Sequence, residues 1–297
     1  MIDVVGVGAN SVDFVYRLPA YPRPDSEFAK LRIAEHLISC GGQVTTALAT
    51  CAALGLRTAY IGTFGSDEHG VRMRDELRRR GIDDSRAVTR DAANPFAVIL
   101  LDDRDGERIV LWDRDARLAL AATEIDTETL ASARLVHVDD VDLDASIEAA
   151  RVARAAGKPV TSDIERTTND VRALIDAVTI PIFAEHVPAA LTGESELSAA
   201  LQQLRRPHHS MLCVTLGARG ALLVAGGDVI RDPGVAVKAV DTTGAGDIFR
   251  GAFIYALLRG DAPRDIVRFA NAAAAISCTR MGAMASVPSL ADLQLTK

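Results

Sequence analysis

The chain has 297 residues, 48% hydrophobic and 25% charged, with 4% aromatics and a formal net charge of −7. This suits one large α/β domain or two ordinary ones around an aliphatic core, and an acidic balance without a long basic run argues against a nucleic-acid partner. No apolar run reaches the ~18 residues of a membrane span, and the sequence opens on a strand rather than a basic leader, so a cytoplasmic location with no membrane partner is expected.

Residues 2–7 read as a buried strand ending in the turn Gly6-Val7-Gly8. A dinucleotide-binding turn would place a third glycine at position 11, where Ser11 stands, and no helical pattern follows. That disfavours a nicotinamide-dependent oxidoreductase. Residues 12–18 alternate as a strand until Pro19, Pro22 and Pro24, and a second extended piece is expected over 27–33. Gly41-Gly42 precedes a small-residue helix over 44–54. A strand over 58–63 and a helix through Arg80, closed by Gly81, follow. The rhythm breaks at 94–112, where two β-like runs flank the hairpin signal Asp102-Asp103-Arg104-Asp105-Gly106.

Strands at 135–138, 159–163, 180–183, 211–216 and 221–224 then alternate with helices near 144–156, 169–177, 187–191, 196–204, 245–258 and 264–278. The expected fold class is α/β, a doubly wound, mostly parallel sheet with helices on both faces. One domain is expected over 1–297, with a small discontinuous β-sheet lid formed by residues about 12–35 and 94–114. The cysteines Cys40, Cys51, Cys213 and Cys278 show no metal-like pairing and read as reduced, buried thiols.

The most informative stretch is Asp241-Thr242-Thr243-Gly244-Ala245-Gly246-Asp247, which runs into an apolar helical pattern at Ile248, Phe249, Ala252 and Phe253. A Gly-Ala-Gly turn feeding a helix presents backbone N–H groups at the positive end of the helix dipole, a ready anion site. An ionised Asp247 beside it would repel a passively bound phosphate. Both make sense together if the carboxylate draws a proton from a hydroxyl while the amides of Gly244, Ala245 and Gly246 hold a phosphoryl group in transfer.

With its flanks, this motif resembles the ribokinase-like carbohydrate kinases, also called the phosphofructokinase B family. Asp241 to Asp247 with Gly251 looks like the family's C-terminal signature, and Gly41-Gly42 with Ala47 and Ala49 looks like its N-terminal glycine pair. Thr63-Phe64-Gly65-Ser66-Asp67-Glu68-His69-Gly70 is similar to the segment that follows that pair. Thr215-Leu216-Gly217-Ala218-Arg219-Gly220 resembles its nucleotide-side strand and turn, and Ala270-Asn271-Ala272 its adenine-side helix. The resemblance implies a Rossmann-like main domain, a β lid, ATP and Mg²⁺ as cofactors, and Thr215, Gly217, Gly220, Thr242, Thr243 and Asn271 on the nucleotide side. The family often carries Asn-x-x-Glu ahead of Leu-Thr-Gly, a motif that organises Mg²⁺. Here Ala184-Glu185-His186-Val187 precedes Leu191-Thr192-Gly193, leaving either Glu185 from a shifted position or water-mediated metal contacts.

On the acceptor side, Asp13 follows the first strand at the carboxyl edge of the sheet, where a carboxylate can accept hydrogen bonds from sugar hydroxyls. Gly41-Gly42 allows close approach to backbone, and Asn10, Gln43 and Thr46 offer polar contacts. Arg114 reads equally as a bidentate anion binder or as the partner of Asp113 or Asp115. The expected activity is ATP-dependent phosphorylation of a sugar or sugar-like alcohol. Alternatives are a nucleoside, inositol or sugar-phosphate acceptor, or a sugar or nucleotide sensor without turnover. Apolar lid residues Phe14, Tyr16, Phe96 and Ile99 suggest cover for the substrate or a homodimer through the lid.

Overall fold

A computed structural model of the chain describes residues 1–24, 29–104 and 106–294. Its first part runs β1 (Val4–Val7), β2 (Ser11–Leu18), β3 (Glu35–Gly41), α1 (Gln43–Ala53), β4 (Thr58–Ile61), β5 (Thr63–Gly65), α2 (Glu68–Arg79), β6 (Val88–Arg90), β7 (Phe96–Asp102) and β8 (Arg108–Asp113). Then come α3 (Thr127–Ser132), β9 (Leu135–Asp139), α4 (Leu143–Ala155), β10 (Val160–Asp163), α5 (Val171–Ala177), β11 (Ile182–Ala184), α6 (His186–Thr192) and α7 (Leu197–Leu204). The last part holds β12 (Met211–Thr215), β13 (Ala221–Ala225), β14 (Asp228–Asp232), α8 (Ala245–Arg259), α9 (Pro263–Ser277) and α10 (Leu290–Gln294).

Parallel strands β10, β9, β1 and β4 form one sheet, and β11 to β14 form a second. Bridges Thr161–Ile180 and Ile164–Phe183 continue the first sheet into the second in parallel. β13 and β14 close the far edge as an antiparallel hairpin; β14 is an element the sequence pattern did not separate. Both faces are covered, as the near-continuous apolar runs of the parallel strands require. Val5 and Val7 join the cluster that holds Ala145 and Ala149 of α4, while Val4 joins Val44 and Leu48 of α1.

The third sheet has the order β3-β2-β7-β8 and is drawn from two separated stretches, as expected. Its second strand differs. β3 is Glu35–Gly41, whereas residues 29–33 form no strand and 27 and 28 lie outside the described residues. The reason lies in register: β3 runs antiparallel to β2 from Arg17–Glu35 to Ser11–Gly41. That pairing delivers Gly41-Gly42 to the start of α1 beside β1's carboxyl end. One face of this sheet carries Val15, Ala97, Ile99 and Leu101, packed with Leu37 and Met281. Phe14 and Phe96 lie on the other, where Phe14 meets His69 of α2 edge-on at 5.3 Å. The expected apolar cover is therefore taken, and β8, exposed along its length, carries the free apolar groups Ile109, Val110, Leu111 and Trp112.

Helix α8 is held against α1 by close backbone approach. A Cβ on Gly251 would stand 2.5 Å from the Ala47 carbonyl oxygen and 2.6 Å from Thr50 Cβ. Backbone cannot yield as a side-chain tip can. Substituting Gly251→Ala should therefore cost about 1–3 kcal/mol of overpacking, read as a lower midpoint in chemical denaturation. An unchanged midpoint would show that the helices are not in this contact.

Candidate active site

The Asp241–Asp247 turn is anchored before it becomes a helix. The buried Asp241 carboxylate accepts from the amides of Thr243 and Gly282, each at 2.8 Å. Gly244 caps α8 with φ 76°, a left-handed conformation that favours glycine. A Cβ there would also meet Ala283 Cβ at 2.8 Å. The helix begins at Ala245, and the amides of Gly246 and Asp247 have no backbone acceptor among the described residues. Open amides at a helix start suit an anion, but of the three expected from the sequence that of Ala245 is turned to the Thr242 carbonyl at 3.3 Å.

Polar groups converge on this cradle. The hydroxyls of Thr46 and Thr243 are buried without a partner among the described residues, and Thr46 faces the Gly244 turn, its methyl 3.5 Å from where a Gly244 Cβ would lie. Arg108 of β8 donates to the Thr242 hydroxyl at 2.6 Å. Arg108 was missed in the sequence. The only signal was parity, since pairing with Leu101, which pairs with Arg17, places it on the same face of the small sheet as Asp13.

Asp13 is buried between Ser39 of β3 and Ala97 of β7 and accepts from the Ser11 hydroxyl at 2.7 Å. Burial pushes its carboxyl up to about 6, against the Ser11 hydrogen bond and with help from the Asp241 charge. Gly41 is required here: a Cβ would fall 2.1 Å from Asp13 Oδ2. Gly42, at φ 97°, lets its backbone pass Asn10 Cα, 2.4 Å from where its Cβ would be. Gln43 starts α1, half-buried.

Asn10 does not present a free side chain. Its amide donates to the Tyr60 hydroxyl and the Thr63 carbonyl, at 3.0 and 2.7 Å, and its oxygen accepts from Asn94 at 3.0 Å. These bonds fix the β1–β2 loop. Arg114 resolves to neither partner expected for its side chain. It forms a fork on Asp142 at 2.9 and 2.7 Å and donates to the Leu118 carbonyl at 2.7 Å, so its guanidinium is spent within the protein.

Thr215 ends β12, and Gly217–Arg219 make a single 3-10 turn. Gly220, at φ 79°, comes so close to β14 that a Cβ would lie 2.0 Å from the Asp232 carbonyl oxygen. Asn271 of α9 is buried and donates to Asp232 Oδ1 at 2.6 Å. It pins the end of β14. Glu185 is ion-paired with Arg219 across an open cavity and is not a free metal ligand. No group of three or more His, Cys, Asp and Glu side chains suited to a metal occurs among the described residues.

Beneath the cradle lie groups the sequence reading did not connect. Arg250, one turn into α8, is 1% exposed, and its Nη2 stands 2.6 Å from Asp163 Oδ1 at the end of β10. Asp247 occupies the first turn of α8, where burial pushes its carboxyl up to about 8 while the Arg250 guanidinium holds it down. A partly exposed carboxylate of raised proton affinity, beside an anion cradle and facing a second buried carboxylate, can accept a hydroxyl proton as phosphate is transferred.

The family model described as pfkB family carbohydrate kinase matches residues 26–290. The chain belongs to this family. It is 28% identical over 320 aligned positions to "Probable fructokinase-5" of Arabidopsis thaliana, covering 98% of this chain and 96% of that protein. It is 31% identical over 292 positions to an ATP-dependent ribose-1-phosphate kinase of Halopiger xanaduensis, covering 95% and 94%. Among solved structures, ribokinase from Thermotoga maritima superposes with a TM-score of 0.83 at 25% identity, covering 99% of both chains. The fold is ribokinase-like, and the protein is an ATP-dependent carbohydrate kinase, a phosphotransferase with an alcohol group as acceptor. No helix among the described residues is long and apolar enough to cross a membrane.

The commitment of Arg114 has a measurable consequence. Arg114→Met leaves Asp142 without its fork and should cost about 1.5–3 kcal/mol, the range for hydrogen bonds to charged groups, with the Michaelis constant for the acceptor unchanged. A large rise in that constant at unchanged stability would return Arg114 to the substrate.

Proposed function

We propose that the kinase phosphorylates a hydroxyl of a free sugar or sugar-like alcohol, with Asp247 as general base and the first amides of α8 as the phosphoryl cradle. The observation that carries this reading is the convergence on one turn of open amides, the unpartnered Thr46 and Thr243 hydroxyls, and a carboxylate. Asp13, bared by Gly41, holds neighbouring hydroxyls of the acceptor, and Gln43 and Thr46 complete its polar wall. The Asp247 carboxylate takes the hydroxyl proton as the acceptor oxygen bonds to the γ-phosphorus, and the bond to the bridging oxygen breaks, releasing ADP. The amides of Gly244, Gly246 and Asp247, without a backbone acceptor among the described residues, stabilise charge on the phosphoryl oxygens, with Arg108 beside them.

Thr215, the Gly217–Gly220 turn, Thr242 and Thr243 line the nucleotide side, and Asn271 supports it through Asp232. Mg²⁺ accompanying the nucleotide would neutralise its phosphate charge. The commitment of Glu185 to Arg219 fits an ion held mainly by phosphates and waters rather than by a protein cage. The β3-β2-β7-β8 sheet acts as the lid, shielding the transfer from water. A free sugar is favoured over a sugar phosphate because the two cations that could meet a second anion are engaged, Arg114 with Asp142 and Arg17 with Glu35 and Asp103.

The same sheet supports a homodimer. β8 is an edge strand with four exposed apolar side chains, Trp112 at 74% exposure, and a second copy is the covering that such an edge calls for. We place the protein in the cytoplasm, since its four cysteines are unpaired and three of them are buried. Light scattering at micromolar concentration should give a dimer mass, and Trp112→Asp should shift it towards the monomer. A monomeric wild type removes this interface.

An ATP-consumption screen over sugars, sugar phosphates, inositols and nucleosides identifies the acceptor class. With its best acceptor, Asp247→Asn should lower kcat by ~10²–10⁴, typical of a lost acid–base group, with nucleotide affinity retained. Because the base must be deprotonated and burial raises it to about 8, kcat/KM should rise with pH and level off above about 8. Near-wild-type turnover in Asp247→Asn, or a flat profile from pH 6 to 9, would remove Asp247 from this role.

A further inference from the structure

The buried polar groups under α8 are not accounted for by phosphate binding or acceptor binding. Arg250 is the largest fully buried side chain described. Its Nη1 lies 2.7 Å from where a Cβ on Gly246 would stand, so the guanidinium sits directly under the cradle. Asp163, 0% exposed, closes on it from the end of β10 at 2.6 Å. Hydrogen-bond alignment is poor, and both Asp163 oxygens and the Nε and Nη2 of Arg250 lack an aligned partner among the described residues.

A purely structural role explains this badly. An apolar side chain of similar volume would fill the space under α8 without the desolvation cost of two buried ions, and such replacements are often neutral or stabilising. Buried polar groups with unused hydrogen-bonding capacity call for another explanation. The neighbours supply one. Asp163, Glu165 and Asp247 all act electrostatically on Arg250, with Asp163 in direct contact. Two further neighbours are neutral: burial lowers the His137 imidazole to about 3 and raises the Cys213 thiol to about 12.

We propose that Arg250 and Asp163 are positioning residues for phosphoryl transfer: Arg250, clamped by Asp163 under the first turn of α8, offsets the burial of Asp247 and favours its ionised form, and Asp163 shares the proton Asp247 receives. The inference rests on the reading of Asp247 as the base. Two carboxylates accept hydrogen bonds only, so Asp163 and Asp247 bond to each other when one of them carries a proton. A proton taken from the acceptor therefore has a second oxygen to rest on, and the pair titrates as a unit. The charged groups facing Asp247 are Arg250 on its own helix, Asp163 and Glu165 from the end of β10, and Arg108 from β8. Asp163 faces Arg250, Asp247, Glu165 and Asp140.

Titration of aspartate-¹³Cγ-labelled protein by NMR, assigned with Asp247→Asn and Asp163→Asn, tests this without any acceptor. The wild type should show a two-step titration of the pair. In Asp163→Asn a single step should remain, displaced to lower pH, because Arg250 then serves Asp247 alone. Arg250→Met should displace the Asp247 step upward by about 1–3 pH units, the effect of losing an opposite charge at close range, while Arg250→Lys should stay near the wild type. A folded Arg250→Met with an unmoved Asp247 step overturns the proposal. If Arg250→Met does not fold, two surviving steps in Asp163→Asn do so. These outcomes are separate from the base reading, which falls only if Asp247→Asn retains turnover.

Discussion

One buried guanidinium, clamped by Asp163 and within the field of Asp247 and Glu165, sets the terms for this site. A phosphoryl cradle needs positive potential at the start of α8, and a base in the same turn adds a negative charge to it. Arg250, placed beneath both by its position one turn along the helix, relieves that conflict from the protein side. Asp163 keeps the guanidinium in place and is itself kept in place by the parallel pairing of β10 with β9. The cost is desolvation of two ions, and the return is a carboxylate that can exchange a proton near neutral pH.

The walls of the site depend on backbone approaching backbone or carboxylate without a Cβ between them. Gly41 leaves room for Asp13, Gly244 for Ala283, and Gly251 for the carbonyl of Ala47. The Gly251 contact joins helices α1 and α8, while that of Gly41 shapes the small sheet that leads into α1. Asp241 adds the fastener, with one oxygen on the turn that starts α8 and the other on the Gly282 loop. That loop meets the small sheet at Leu37 and Ser39.

Much of this was legible because it is local. The Gly-Ala-Gly-Asp turn, the glycine pair, the helix and strand alternation and the two-part small sheet are all patterns within a few residues, set by dihedral freedom and hydrophobic period. Partner choice was not legible. The Asn10 side chain is bonded to Tyr60, Thr63 and Asn94, and that of Asn271 to Asp232. A polar residue at the right edge of a sheet looks the same in sequence whether it faces a ligand or a neighbour.

By itself the sequence determined the fold class, the reaction type and the turn proposed to carry the base, since a left-handed glycine before a helix and a carboxylate in its first turn are properties of adjacent residues. Only the tertiary structure decided the charges. Arg114 meets Asp142, Glu185 meets Arg219, Arg108 meets Thr242 and Arg250 meets Asp163. Each pair joins residues far apart in the chain. Ion pairing depends on distance and burial in space, which no local pattern encodes.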